Sequence, residues 1–293
     1  DGEFGFTLTL TAPLGCENAG RWANLYHYDE EAEALTFETS AQIADDGSVA
    51  LRMSHASQYA IVIDDKNHGE NAGQPTLNTQ DHDAYLLGYE DGTVRPEGSI
   101  TRAEVATIFF RLLTDESRDK FWSQTNDYTD VPADAWYNNA VSTLSNAGIL
   151  DGYEDGTFRP DGNITRAEFA TITARFLEAS YDGGNRFPDI DGHWAAEYIN
   201  QAAVKGWVEG QPDGSFAPDR SISRAEAMTL VNRVLGRLPE TADDLLDGMI
   251  TWPDNPPDAW YYLAVQEATN SHDYERKADT VHETWTGLQP AGN

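Results

Sequence analysis

One phrase stands three times in this chain, and its spacing constrains the architecture more than any other feature. It reads Gly88-Tyr-Glu-Asp-Gly-Thr-Val-Arg-Pro-Glu-Gly-Ser-Ile-Thr-Arg-Ala-Glu104, and again Gly152-Tyr-Glu-Asp-Gly-Thr-Phe-Arg-Pro-Asp-Gly-Asn-Ile-Thr-Arg-Ala-Glu168. A looser copy reads Gly210-Gln-Pro-Asp-Gly-Ser-Phe-Ala-Pro-Asp-Arg-Ser-Ile-Ser-Arg-Ala-Glu226. The arginines of the copies are 166 − 102 = 64 and 224 − 166 = 58 residues apart. A near-constant period of this size marks supersecondary units that must bury their apolar faces against one another.

The phrase has a local physical meaning. Asp-Gly followed by Thr or Ser is a tight turn, with Gly supplying positive φ. The proline two residues after Val94, Phe158 or Phe216 delays the next helix. Thr101-x-x-Glu104, Thr165-x-x-Glu168 and Ser223-x-x-Glu226 then predict capping boxes. That places Arg102, Arg166 and Arg224 at the first helical position, where a cation is mildly unfavourable beside the free N–H groups. An anionic ligand would relieve this; so would a carboxylate of a neighbouring unit. After each box, Val105, Ile108, Phe109, Leu112 and Leu113 align with Phe169, Ile172, Thr173, Phe176 and Leu177, and with Ala227, Leu230, Val231, Val234 and Leu235. One apolar stripe per helix predicts a three-helix core.

A second pattern precedes the phrase. Tyr128-Thr-Asp130, Trp136, Ala140-Val141, Leu144 and Gly148 recur as Phe187-Pro-Asp189, Trp194, Tyr198-Ile199, Ala202 and Gly206. Each predicts a helix of about three turns ending at a glycine cap. No such half precedes Gly88, but Trp252-Pro-Asp254, Trp260, Ala264-Val265 and Ala268 follow the third copy at matching offsets. The far end of the chain is therefore expected to fold back and complete the first unit, closing a ring; a degenerate fourth repeat is the rival arrangement.

Residues 1–64 read as β structure, with alternation at Phe4, Phe6, Leu8 and Leu10 and strand candidates at Trp22–Tyr28, Ala34–Thr39, Val49–Met53 and Tyr59–Ile63. Asp45-Asp46-Gly47 is a hairpin signal. His27 and His55 lie in or beside these strands without a further ligand cluster, and His193 and His272 stand isolated. Residues 65–82 read as a linker, 83–285 as the repeat region (83–113 completed by 252–285, then 127–177 and 187–235), and 286–293 as a tail. The chain begins at Asp1 inside strand-like sequence, so an origin as the C-terminal part of a longer protein is expected.

Lys and Arg total 19 against 50 Asp and Glu, a net charge of −31. Nucleic acid and anionic membrane surfaces are disfavoured partners. The single cysteine, Cys16, excludes an intrachain disulfide.

These residues together, Phe/Tyr-x-Asp, Trp, Gly-Tyr-x-Asp-Gly-Thr-Phe-x-Pro and Ile-Thr-Arg-Ala-Glu, resemble the S-layer homology (SLH) domain over roughly residues 84–285. The resemblance implies a mainly α pseudo-trimer, a three-helix prism of short helices and loops, here preceded by a small antiparallel β domain. It implies an extracellular location in the cell wall or S-layer of a bacterium, and non-covalent anchoring to a pyruvylated secondary cell-wall polysaccharide or to modified peptidoglycan. The implied glycan-binding residues are Arg102, Arg166 and Arg224, met by the ketal carboxylate, with Asp130, Asp189 and Asp254 and Trp136, Trp194 and Trp260 near the grooves. Each Trp could equally pack in the core and each Asp cap the helix it precedes. Gly88, Gly152 and Gly210 would let backbone approach the sugar.

Two other classes compete. A glycoside hydrolase would need a carboxylate pair, but the repeated Glu residues are already used in capping boxes and no nucleophile-elbow, zinc-protease or phosphate-loop motif is present. A self-assembling lattice component, contacting other copies of itself, would fit a calcium-bridged acidic surface, although no EF-hand loop supports calcium. No catalytic residue, metal ligand or cofactor is expected from the sequence, nor membrane insertion.

Overall fold

A computed structural model describes residues 3–29, 34–55, 58–65, 74–177 and 181–290. It divides into two compact units, Asp1–Gln74 and Pro75–Asn293.

In the first unit, strand β1 (Glu3–Pro13) pairs antiparallel with β4 (Ser48–His55), while β2 (Trp22–Asp29) lies between β3 (Ala34–Gln42) and β5 (Tyr59–Asp64). Alternation turns Ala23, Leu25, Val49 and Leu51 inward, where they pack with Ile43. The Asp45–Gly47 turn has Gly47 at φ 78°, but β3 and β4 hydrogen-bond to other partners, so the turn passes the chain between sheets instead of closing a hairpin. His27 lies 3.2 Å from Glu38; the side chain of His55 is outside the described residues.

Among the described residues the second unit is built on seven α-helices: α1 (Arg102–Leu112), α2 (Asp115–Phe121), α3 (Asn138–Asn146), α4 (Arg166–Ala174), α5 (Ala196–Val204), α6 (Arg224–Leu235) and α7 (Tyr262–Thr269). All three expected capping boxes form, at Thr101/Glu104, Thr165/Glu168 and Ser223/Glu226. The apolar stripes of α1, α4 and α6 meet in one core, which includes Val105, Phe109, Phe169, Ile172, Ala227 and Val231. Helix α4 stops at Ala174, its last turn tightening into i to i+3 bonds at Phe176 and Leu177. Phe176 lies beyond the helix and still stacks on Phe109, 5.6 Å between ring centres.

The helices are tied in a cycle by their own first turns. The Arg102 and Ala103 amides donate to the carbonyls of Gly162 and Pro160, those of Arg166 and Ala167 to Arg220 and Pro218, and those of Arg224 and Ala225 to Gly98 and Pro96. Each turn phrase thus caps the helix of the preceding copy, and the first copy caps the last.

The segment around Trp252 docks on the first copy. Asp254 accepts from the amides of Val94 and Arg95, and the amides of Tyr85 and Leu86 donate to Ala268 O. The chain then continues as a hairpin, β6 (His272–Arg276) paired with β7 (Glu283–Leu288). Residues 286–288, expected in a tail, belong to that strand.

Gly152 illustrates how tightly the halves meet. A Cβ there would lie 2.3 Å from the Tyr128 ring and 2.7 Å from Thr157 O. Gly152→Ala is expected to destabilise the helical unit by about 1–3 kcal/mol, read as a lowered midpoint in urea. No described helix is long and apolar enough to cross a membrane.

Candidate functional site

The three motif arginines are side by side with carboxylates. Arg102 donates through Nε to Phe158 O, through Nη1 to Glu168 at 3.0 Å and through Nη2 to Asp151 O. Arg166 repeats this with Phe216 O, Glu226 at 3.1 Å and Glu209 O. Arg224 meets Val94 O and Glu104 at 2.7 Å, with no third bond among the described residues. The partner in each case is the capping-box Glu of the next helix in the cycle. The helix N–H groups that an anion was expected to join are already spent: the first two on carbonyls of the next turn, the third on the Thr or Ser hydroxyl. The arginines are 6%, 8% and 3% exposed. Burial pulls the Arg166 guanidinium below its ordinary pKa, with Glu226 opposing. These side chains are first of all struts between units.

The aspartates are clamps. Both oxygens of Asp130 accept backbone amides, from Phe158 and Arg159, and Asp189 does the same with Phe216 and Ala217. Burial would raise the Asp189 carboxyl, but those two amides outweigh it and hold it below the usual range. None of the three caps a helix, since Tyr137, Ala195 and Tyr261 are the N-cap residues and make no side-chain cap bond. The clamp holds Arg95, Arg159 and Ala217 at φ 50°, 57° and 55°, a left-handed backbone that costs on the order of 1 kcal/mol per residue without such support. Asp130, Asp189 and Asp254 do not line the grooves. Gly88, Gly152 and Gly210 are crowded by Trp252, Tyr128 and Phe187, so aromatic packing already requires glycine there.

The tryptophans are outside the core. Trp136, Trp194 and Trp260 are 68%, 61% and 68% exposed, because α3, α5 and α7 begin two residues after each of them. Each overhangs a groove containing the motif arginine of a different copy. Trp194 lines a cavity of 630 Å³ with Arg102, Trp260 one of 210 Å³ with Arg166, and Trp136 one of 200 Å³ with Arg224.

A second arginine stands in each groove, contributed by another copy: Arg175 beside Arg102, Arg233 beside Arg166 and Arg111 beside Arg224, each nine residues after the motif arginine of its own copy. The repeat alignment contains this spacing, which sequence reading passed over. Arg175 pairs with Asp151 and Arg233 with Glu209 at 3.1 Å. At the equivalent place the first copy has Leu87, so Arg111 has no ion pair among the described residues and makes one long bond, 3.4 Å, to Tyr85 O. The lining charges follow. The Arg102 groove has two arginines against Asp151, Glu154, Glu168 and Asp219; the Arg166 groove has two against Glu209 and Glu226; the Arg224 groove has two against Glu104 alone.

The departures of the third copy belong together. In the first two copies Arg95 stacks on Tyr89 at 4.0 Å and Arg159 on Tyr153 at 3.9 Å, and the tyrosine hydroxyl bonds the capping Glu. Gln211 and Ala217 replace both members of the stack, and Arg220 takes over the bond to Glu226.

No metal-ligand set lines the grooves among the described residues. His272, isolated in sequence, is instead grouped with His82, Glu267 and Glu283, buried where α7 meets the β6–β7 hairpin.

Comparison with known proteins matches three segments, residues 86–106, 127–170 and 186–228, to the S-layer homology domain model. The chain is 37% identical over 203 residues to a cellulosome-anchoring protein of Acetivibrio thermocellus, covering 67% of this chain and 44% of that protein. It is 39% identical over 207 residues to cell surface glycoprotein 1 of the same organism, covering 66% of this chain and 9% of the relative. An amylopullulanase of Thermoanaerobacterium thermosulfurigenes is 29% identical over 238 residues, covering 77% of this chain and 12% of the relative. The chain thus spans less than half the length of each of these relatives.

Proposed function

This chain belongs to the S-layer homology domain family, and on that premise we propose that its helical unit, a pseudo-threefold prism, anchors a bacterial surface protein by binding an acidic cell-wall glycan. The glycan is a pyruvylated secondary cell-wall polysaccharide, seated without catalysis in the grooves between units. The location follows from the reading: outside the cell, in the cell wall or S-layer.

One observation carries the proposal. Each groove sets a solvent-exposed tryptophan opposite two arginines, an apolar plate for a sugar face beside donors for its acid. The small share of the amylopullulanase covered by the match, 12%, fits a module that serves attachment in a larger protein. On this reading the main anion contact is made by Arg111, Arg175 and Arg233, because the motif arginines are buried and bonded to neighbouring units, with Arg224 contributing a remaining donor. Charge favours the Arg224 groove, despite the first copy being split along the chain.

Calorimetric titration with a pyruvylated wall-glycan fragment, and with the same fragment after removal of the ketal, tests this. Binding should be measurable with the first and weaker by about 10-fold or more with the second, the scale of one charge-assisted hydrogen bond. Equal affinity for the two fragments, or no heat with either, would refute an acid-reading groove.

A further inference from the structure

We propose that His82, Glu267, His272 and Glu283 form a binding site for one divalent transition-metal ion, zinc by size and donor set, which fastens the closure of the helical unit. The ligand atoms converge on a point. His82 Nδ1 lies 3.1 Å from His272 Nε2, 3.4 Å from Glu283 Oε1 and 3.6 Å from Glu267 Oε1. His272 Nε2 lies 3.3 Å from Glu267 Oε1. All four atoms fall within 4.8 Å of one another. A tetrahedral zinc site with bonds of about 2.0–2.1 Å needs ligand atoms about 3.3–3.4 Å apart. Calcium, which takes 6–8 oxygens at about 2.3–2.6 Å, fits neither the two imidazoles nor the spacing.

The hydrogen-bond inventory points the same way. His272 Nδ1 lies 2.9 Å from Asn270 O, so it carries the ring proton and its Nε2 presents a lone pair to the cluster, the arrangement that orients metal-bound histidines. Glu267 Oε2 accepts from Trp285 Nε1 at 2.9 Å, while its Oε1 has no hydrogen-bond partner. Glu283 Oε2 lies 3.0 Å from Arg276 Nη1 in an ion pair, and neither Glu283 oxygen has a hydrogen-bond partner among the described residues. Glu267 and Glu283 are both 0% exposed. A proton on His82 Nδ1 can serve only one of the three acceptors facing it, and leaving the rest buried is costly. A cation at the centre satisfies all four ligand atoms and leaves the His82 Nε2 proton without a hydrogen-bond partner among the described residues.

The cage is rigid. The His82 ring stacks on Tyr274 at 3.8 Å and the His272 ring on Trp285 at 4.0 Å. Its ligands come from the segment before the first copy, from α7 and from both hairpin strands. His82 and His272 are 190 residues apart, so an ion here would join the two ends of the ring.

The test uses the tag-free chain, stripped by a chelator and then titrated with zinc or calcium. Zinc should bind at one equivalent, raise the melting temperature by roughly 5 °C or more at saturation, and do so reversibly, with calcium giving no comparable shift. The shift should vanish in Glu267→Gln and in His272→Gln. X-ray absorption of the zinc-loaded wild type should show four N/O neighbours near 2.0 Å, and this decides the matter even where a variant fails to fold. No stoichiometric zinc binding, an equal shift with calcium, a shift retained in both variants, or a six-oxygen shell would each overturn the proposal.

Discussion

Arg166→Ala is expected to lower the unfolding free energy of the helical unit by about 3 kcal/mol, more than any loss of ligand affinity alone would suggest. The substitution removes three hydrogen bonds at once, to Phe216 O, Glu209 O and Glu226. It strands two carbonyls and a carboxylate whose side chain is only 20% exposed. Breaking a buried pair by deleting one member costs about 3–5 kcal/mol; Arg220 and the Ser223 amide still hold Glu226, which sets the estimate at the lower end. The guanidinium also packs on the Phe216 ring at 4.6 Å, and that contact goes with it. Urea denaturation followed by circular dichroism measures the loss. A cost below about 1 kcal/mol together with abolished wall binding would mean that Arg166 is a ligand contact and not a strut.

The second large effect falls on binding and leaves the fold intact. Arg111 is exposed and its one bond, to Tyr85 O, is 3.4 Å long, so Arg111→Ala should change stability by no more than about 0.5 kcal/mol. The same change is expected to weaken an acidic glycan by about 1.5–3 kcal/mol, roughly 10- to 150-fold. Arg175→Ala should do less, because Asp151 already neutralises Arg175 and three further carboxylates line that groove. Calorimetry on the two variants separates the grooves. A larger loss from Arg175→Ala than from Arg111→Ala would reverse the ranking that charge imposes.

Local rules were readable in the residues, and relations between distant residues were not. The capping boxes need only Thr or Ser and a Glu three positions later, and they form as read. The docking of the Trp252 segment on the first copy was legible because Asp254 and Trp260 keep the offsets of the complete halves. The partner of each motif arginine was not legible: Glu168 lies 66 residues from Arg102, and in a chain with 50 acidic residues no pattern singles it out. The aspartates were read as sugar contacts or helix caps because the amides they clamp, 28 and 29 residues on at Asp130, leave no trace in the local sequence. The tryptophans were read as groove residues with core packing as the alternative; Trp136, Trp194 and Trp260 stand exposed on the groove linings. The His82 cluster was hidden for a plainer reason. Its members are spread across the whole helical unit, and the strands that bring Glu283 to His272 were read in part as an unstructured end.

The central claim is that grooves between repeated units hold this protein to an acidic polymer of the bacterial wall. Co-sedimentation with purified cell walls, before and after hydrofluoric acid removes the secondary polymer, tests it most directly. The account predicts that the chain pellets with untreated walls, stays in solution with stripped ones, and is displaced by free polymer. Equal pelleting with stripped and untreated walls would contradict it.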